Sequence, residues 1–510
     1  MKKWRWMGSV TVVLLLAAMS LSACSSNGNS KPNAENGAGA PTASEGNAEK
    51  PKEIVELKAL FPGDTPQGFD EVMAAVNEKL KKDNIGASLK IQFIPWSDYG
   101  NTTSVKIAAN EQFDMFLEAP WLHMGQMIAS GSIYALDEFV EGRKELKQSI
   151  PEMMWEANKF NGKIMGIPLG TTQTMVYGFQ VRKDLREKYG LPEIKTLDDM
   201  VNFLYAVKEN DKDLIPFVVD QRTAGHNAQR FNSLYYTNDF DGFAVTNEFL
   251  ATSDKKVIPI YERPGYENGY KYSEQFYKDG IFHKNIMQEQ NAATLFNQGK
   301  AASFPYYSDG VVNYTDLLKN VPGAELEIVV PAGDGWKPLS DFKQWNFLSV
   351  PKYSKNVELV MDVMNWLSIK ENHDLLEYGI QGKDWNPVGE SGYESISDYS
   401  FPGYVMTWRP QLARTPSTMI ADDKKWVDFS KDANNFSPAV TTGFTANLDA
   451  VKTEIAQITP LNEQILSPMA AGLHKFEDGI AKYKSEMERA GSQKVIEELQ
   501  KQLDAFLAGK

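Results

Sequence analysis

The chain has 510 residues, with 53 basic and 67 acidic side chains, a formal net charge of −14 and a single cysteine. So acidic a chain argues against nucleic acid or another polyanion as natural partner, and against a basic membrane-binding face. Its length exceeds what one hydrophobic core normally organises, so two lobes or more are expected.

The first elements concern export. Lys2, Lys3 and Arg5 precede an apolar run from Val10 to Met19, and small residues lead to Leu21-Ser22-Ala23-Cys24. That is the layout of an export signal, with an apolar core too short to span a bilayer comfortably. Its ending resembles a bacterial lipobox, which implies cleavage after residue 23 and a diacylglyceryl group on Cys24; two acyl chains suffice for stable anchoring. Residues 25–52 contain no aromatic and no Val, Ile, Leu or Met. Such a segment cannot offset its ordering entropy, so 24–52 is expected to be a disordered tether with a reach of roughly 30 Å. With no cysteine after position 24, the body needs no oxidising machinery.

The body opens with alternating strands and helices. Ile54–Phe61 reads as a buried strand, and Phe69, Val72/Met73, Val76 and Leu80 recur at helical spacing. Leu89–Ile94 alternates as a strand and stops at Pro95, a polar helix runs to Asn110, and 113–117 forms a third strand. Repeats of this kind predict a largely parallel sheet with helices on its faces. Further on, Thr196-Leu197-Asp198-Asp199 is capping-box-like and precedes the stripe Leu197, Met200/Val201, Leu204, Val207. Ile215–Val219, 301–304, Leu326–Pro331 and Phe347–Pro351 read as strands. Val360, Val363/Met364 and Leu367 mark a helix, and so do Val495/Ile496, Leu499, Leu503 and Phe506/Leu507 after a break at Gly491.

Catalytic signatures are missing. The histidines at 123, 226, 283, 373 and 474 lack zinc-ligand spacing, and there is no nucleophile elbow, phosphate-cradling glycine loop or EF-hand pattern. Gly333-Asp334-Gly335 reads as a surface turn. Paired carboxylates of a glycosidase leave no local signature and stay open. No enzyme activity, cofactor or metal is expected.

Specific stretches in the second half carry a family likeness. They are Gln344-Trp345-Asn346-Phe347-Leu348-Ser349-Val350-Pro351-Lys352, Asn365-Trp366-Leu367, Leu376-Glu377-Tyr378-Gly379-Ile380-Gln381-Gly382-Lys383-Asp384-Trp385, Val451–Gln457 and Gln500–Leu507. With the weaker matches Asp98-Tyr99, Phe113-Asp114, Arg182–Leu185 and Gly299–Ala302, the chain from 53 to 510 resembles the lipoprotein solute-binding proteins of Gram-positive ABC importers. The likeness is to their LplA/LipO-like branch, found in Bacillus and Paenibacillus relatives. The resemblance implies an α/β, two-lobed periplasmic-binding-protein-like (type II) fold with a hinge and an inter-lobe cleft. By analogy, lobe 1 takes 53–170 plus 300–345 and lobe 2 takes 171–299 plus 346–510. It also implies a monomeric receptor on the extracellular face of the membrane, held there by its lipid alone, that delivers an oligosaccharide to permease subunits. A peptide or amino-acid receptor of the same architecture, or a surface glycoside hydrolase, are the competing readings. Two departures stand out. Asn210–Leu214 lacks the glycine and ligand set of the calcium loop in some larger relatives, and Gln381 replaces a frequent Glu.

Sugars present apolar faces to aromatic rings and hydroxyl rims to polar side chains. Aromatics just after strand ends, where clefts of open α/β sheets lie, are therefore the candidate ligand contacts. They are Trp96 with Asp98, Trp121, Tyr177, Tyr306 with its neighbour Tyr307 and Asp309, Trp345, Trp385 and Trp408. Asp98 and Asp309 suit helix caps equally well, and Trp385 and Trp408 suit the ordering of a long loop. Trp155 and Trp366 lie in helical stripes and read as core.

Overall fold

A computed structural model describes residues 51–220, 228–289, 291–310 and 314–509. The leader, Cys24, nearly all of the tether and His226 lie outside the described residues.

The chain begins with β1 (Val55–Pro62), α1 (Phe69–Lys82), β2 (Ala87–Ile94), α2 (Trp96–Ala108), β3 (Met115–Glu118) and, after short helices, β4 (Ile167–Leu169). β2 and β3 flank β1 in parallel, so the three strands end on one edge. The last four residues of β1 and all of β3 are buried, as befits central strands covered on both faces. In α1 the buried stripe is Phe69, Val72, Met73, Val76 and Leu80. Asp70 and Glu71 in its first turn and lysines in its last suit the helix dipole.

A second sheet follows. β5 (Tyr177–Arg182) precedes α3 (Leu197–Asn210), whose Thr196–Asp199 capping box forms as the sequence predicts. β6 (Ser303–Tyr307) and β7 (Leu326–Val329) pair antiparallel with β5 on either side. The chain then returns: β8 (Asn346–Ser349) inserts between β3 and β4, antiparallel to both, and α4 (Val357–Trp366) and α5 (Lys370–Glu377) pack beyond it. Finally α6 (Ala421–Lys431) rejoins the second half, and α7 (Phe476–Arg489) and α8 (Ser492–Ala508) close the chain. The αL glycine Gly491 (φ 88°) supplies the break expected between these last two helices.

These pairings redraw the lobe boundaries expected from the sequence. Residues 300–345 supply β6 and β7 to the second sheet, and 346–408 contribute β8 and the Met361, Trp366 and Met406 side chains to the first core. Strand–helix alternation reports that a sheet exists but not which sheet a strand joins. Another expected strand, 215–219, makes a single bridge from Ile215 to Ala301. Pro216 has no N–H to extend the ladder and the chain bends at 216–217, yet Phe217, Val218 and Val219 are fully buried. Trp155 and Trp366 are core, at 4% and 2% exposure.

The chain passes between the two cores at 170–175, at 343–346 and between Trp408 and Ile420. The first two passages are tied together. Buried Asn158 donates to the Phe342 carbonyl (3.0 Å) and accepts from the Gln344 N–H (2.7 Å), while Gln344 Nε2 donates to the Gln173 carbonyl (2.9 Å). Replacing Asn158 with Ala strands the Gln344 N–H and the Phe342 carbonyl in the interior. The expected loss is about 3 kcal/mol of unfolding free energy in urea titration.

Candidate ligand-binding cleft

The shared edge of β1, β2 and β3 carries an open aromatic surface. Pro95 caps α2 directly after β2, which puts Trp96 on the first helical residue, 45% exposed. Three residues later Tyr99 points inward, fully enclosed, and its hydroxyl donates to the Leu117 carbonyl at 2.7 Å. That bond fastens the first turn of α2 onto the strand edge. After β3, the carboxylate of Glu118 turns back under its own loop, and its Oε1 accepts the N–H groups of Ala119 and His123, both at 2.9 Å. Burial pushes this carboxyl above its ordinary value. The loop so wrapped presents Trp121, 49% exposed, whose indole N–H donates to the Trp345 carbonyl at 2.7 Å. Trp345 stands at the entry to β8 and is 53% exposed.

The rings form a continuous surface. Trp96 lies 5.9 Å from Trp121 and is stacked on Tyr404 at 5.9 Å with a 24° interplanar angle; Tyr404 meets Trp408 edge-on at 5.9 Å. The Tyr404 hydroxyl reaches the Pro62 carbonyl at 3.4 Å, at the end of β1. Gly403 is required beneath Trp408, because a Cβ there would collide with the indole ring and with Glu377 Oε2.

Tyr404 and Trp408 lead into a cavity of about 790 Å³, within the usual range for ligand sites. One wall comes from the first half: Glu377, Tyr378, Trp385, Tyr399 and Arg414. Thr171, Asp309, Asp316 and Lys431 of the second half face them. Glu377 is part-buried at the end of α5, and its Oε2 accepts the Thr407 hydroxyl. Burial, with Asp374 nearby, pushes its carboxyl up to about 7 against the pull of Arg409. Arg409 is itself enclosed, its Nη1 donating to the Trp408 carbonyl at 2.8 Å, and burial pulls its guanidinium down to about 9.

The structure brings together Trp96, Trp121, Trp345 and Trp408, with Asp98 exposed on the first turn of α2 and Asp309 on the cavity wall. Other expected contacts take different positions. Tyr306 is fully buried and donates to Asp423 Oδ1 at 2.7 Å, so it offers no face to a ligand. Strand alternation puts Tyr307 on the other face of β6, beside Tyr177 at 5.5 Å, with the Arg230 guanidinium 4.5 Å from the Tyr307 ring. Tyr177 thus belongs to a tyrosine–arginine cluster outside the cavity lining, and burial pushes its hydroxyl up to about 12. Trp385 lines the wall at only 3% exposure, covered by Arg414 at 4.8 Å and bonded through Nε1 to the Gly379 carbonyl at 3.0 Å. It orders the 379–395 loop. Tyr404 and Glu377 were not among the expected contacts. Neither follows a strand end, and only the fold draws them to the edge.

A two-walled α/β body with aromatics at its strand edge and a cleft between its halves is the architecture of a binding protein. The chain belongs to the bacterial extracellular solute-binding proteins, whose family model matches residues 63–374; a domain of unknown function (DUF3502) matches 440–508. It is 25% identical, over the full length of both chains, to a carbohydrate ABC transporter substrate-binding protein of Streptococcus pneumoniae. It is 20% identical to the lipoprotein LipO of Bacillus subtilis, over 75% of this chain and 73% of that one. The N-glycan transport solute-binding protein NgtS of Streptococcus pneumoniae shares its fold. The crystal structure of NgtS with Man1GlcNAc superposes at a TM-score of 0.69 and 22% identity, covering 89% of this chain and 99% of that one. The periplasmic-binding-protein fold is thereby established, in a family that binds solutes and does not transform them. No helix among the described residues is long and apolar enough to cross a membrane.

The Glu377 carboxyl gives stability a pH dependence of known sign. In the unfolded chain it ionises near 4.5, in the folded one near 7. Below 4.5 both states are protonated and its contribution is fully present. As pH rises toward 7 the unfolded state ionises first, and that contribution is lost. Replacing Glu377 with Gln should therefore flatten the decline in melting temperature between pH 4.5 and 7, read by scanning calorimetry across that window.

Proposed function

We propose that this protein is a lipid-anchored receptor that captures an oligosaccharide and hands it to an ABC import permease. One observation carries the reading: the ring surface Trp121–Trp96–Tyr404–Trp408, exposed at its first two indoles and half-buried at the other two rings, runs directly into a cleft walled with carboxylates and hydroxyls. Flat rings cover the apolar faces of sugars and polar groups engage their rims. Exposed tryptophans are costly to leave in water unless a partner covers them. The carbohydrate relative of full-length similarity and the glycan-bound NgtS point to the same class.

Closure of the two halves on the sugar is a population shift, driven by contacts that only the closed form makes. The permease subunits would recognise the closed pair. Anchoring follows from Leu21-Ser22-Ala23-Cys24, in keeping with the lipoprotein name of the LipO relative. The body then works on the extracellular face, as a monomer.

A thermal-shift screen of oligosaccharides should find a ligand that stabilises by about 2.7 kcal/mol at a hundred times its dissociation constant. In titration calorimetry, Trp96→Ala should weaken that ligand at least about tenfold. A panel in which peptides bind and no glycan does would overturn the reading. Radiolabelled palmitate should mark the bacterial product, and Cys24→Ser should abolish the label and release the protein into the medium.

A further inference from the structure

The charged side chains around the cavity are unevenly matched. Asp316 stands on one wall, Glu377 on the other, and Glu394 and Asp398 at the exposed mouth. Against them the lining holds two cations, Arg414 and Lys431. Arg414 is already spent. Its Nε and Nη2 both contact Asp374 Oδ2, at 2.8 and 2.7 Å, and its Nη1 donates to the Gly392 carbonyl at 3.2 Å. Lys431, part-buried at the end of α6, is the one remaining cation of the described lining, and an ammonium is a point charge without the planar fork of a guanidinium. Among the described lining residues, no guanidinium is left to clamp a carboxylate in the bidentate manner that anion recognition favours.

Resting on the carbohydrate reading above, we infer that the cleft selects uncharged oligosaccharides against those carrying uronate groups, and that Glu377 is the residue that sets this selectivity. Glu377 lines the cavity beside Trp408, packed around Gly403, so a sugar ring lying against that indole brings its substituents to the carboxyl. A neutral sugar donates a hydroxyl hydrogen to that group. Above pH 7, where Glu377 is ionised, a uronate in the same place sets a second carboxylate against it in an enclosed site, where like charges repel more strongly than in water. Discrimination of this kind works through the repulsive element as much as the attractive one. The exposed acids at the mouth add to it at longer range, through the field they set up at the entrance.

The test uses matched pairs: neutral oligosaccharides, each beside its C6-oxidised counterpart, titrated calorimetrically into the full exported chain at a pH well above 7, where Glu377 is ionised. Whichever neutral glycan binds, its oxidised form should bind at least roughly tenfold more weakly. Glu377→Gln should narrow the gap. Because that residue is part-buried, a second variant with Glu394→Gln and Asp398→Asn, both exposed, should narrow it too without disturbing the fold. Equal affinity within the pairs, or a gap that a folded Glu377→Gln variant leaves unchanged, overturns the inference and leaves the carbohydrate reading standing. Failure of every glycan to bind removes the carbohydrate reading itself.

Discussion

The hydrogen bond from the Trp121 indole to the Trp345 carbonyl joins residues 224 positions apart across the edge of the first sheet. The open ring surface depends on that closure. Indoles left half exposed tend to collapse onto whatever apolar surface is near, and here each is held out by polar fastening beneath it. Tyr99 fixes the turn under Trp96 by bonding to the Leu117 carbonyl, Glu118 gathers the loop under Trp121, and the entry of β8 receives the indole bond. The same logic explains the buried carboxylate of Glu118. Its desolvation is offset by backbone N–H donors that have no other strong acceptor in a tight loop.

The cleft sets this rigid edge against a wall of different character. The first half supplies rings and the carboxyl of Glu377; facing it are Thr171 from the first crossing, Asp309 just after β6, Asp316 from the helix Thr315–Asn320 and Lys431 at the end of α6. A ligand bridging the two gains contacts that neither half makes alone, and that difference is what closure requires. The passages between the halves meet this need with directional bonds. The side-chain amides of Asn158 and Gln344 hold the crossing segments, the latter through the Gln173 carbonyl, which leaves the halves linked through narrow polar connections and separate hydrophobic cores.

Much of this was legible in the sequence where local pattern decides structure. The apolar run of β1, the stripe of α1, the Thr196 capping box and the Gly491 break each follow from spacing over one element, and each forms within a residue or two. Trp96, Trp121 and Trp345 were legible because an aromatic at the end of a strand has a position that topology dictates. The illegible parts are non-local. Nothing in Asn346–Ser349 says it will lie between β3 and β4, and nothing in 300–330 says it will pair with β5. Tyr306 and Tyr307 differ only in the face of one strand, so a shift of one residue separates a core tyrosine from a half-open one. Tyr404 and Glu377 reach the cleft through packing around Gly403, which no short-range signal announces.

The insertion of β8 has a consequence for biogenesis. Until residues 346–349 emerge, β3 and β4 have no common neighbour, and a central gap in the first sheet exposes unpaired backbone on both sides. Most of the chain must therefore clear the translocation channel before its earliest strands have their final partners. A nascent body of this kind resists premature compaction on the way out, and it is most vulnerable to proteases and to self-association in the interval before that late strand arrives.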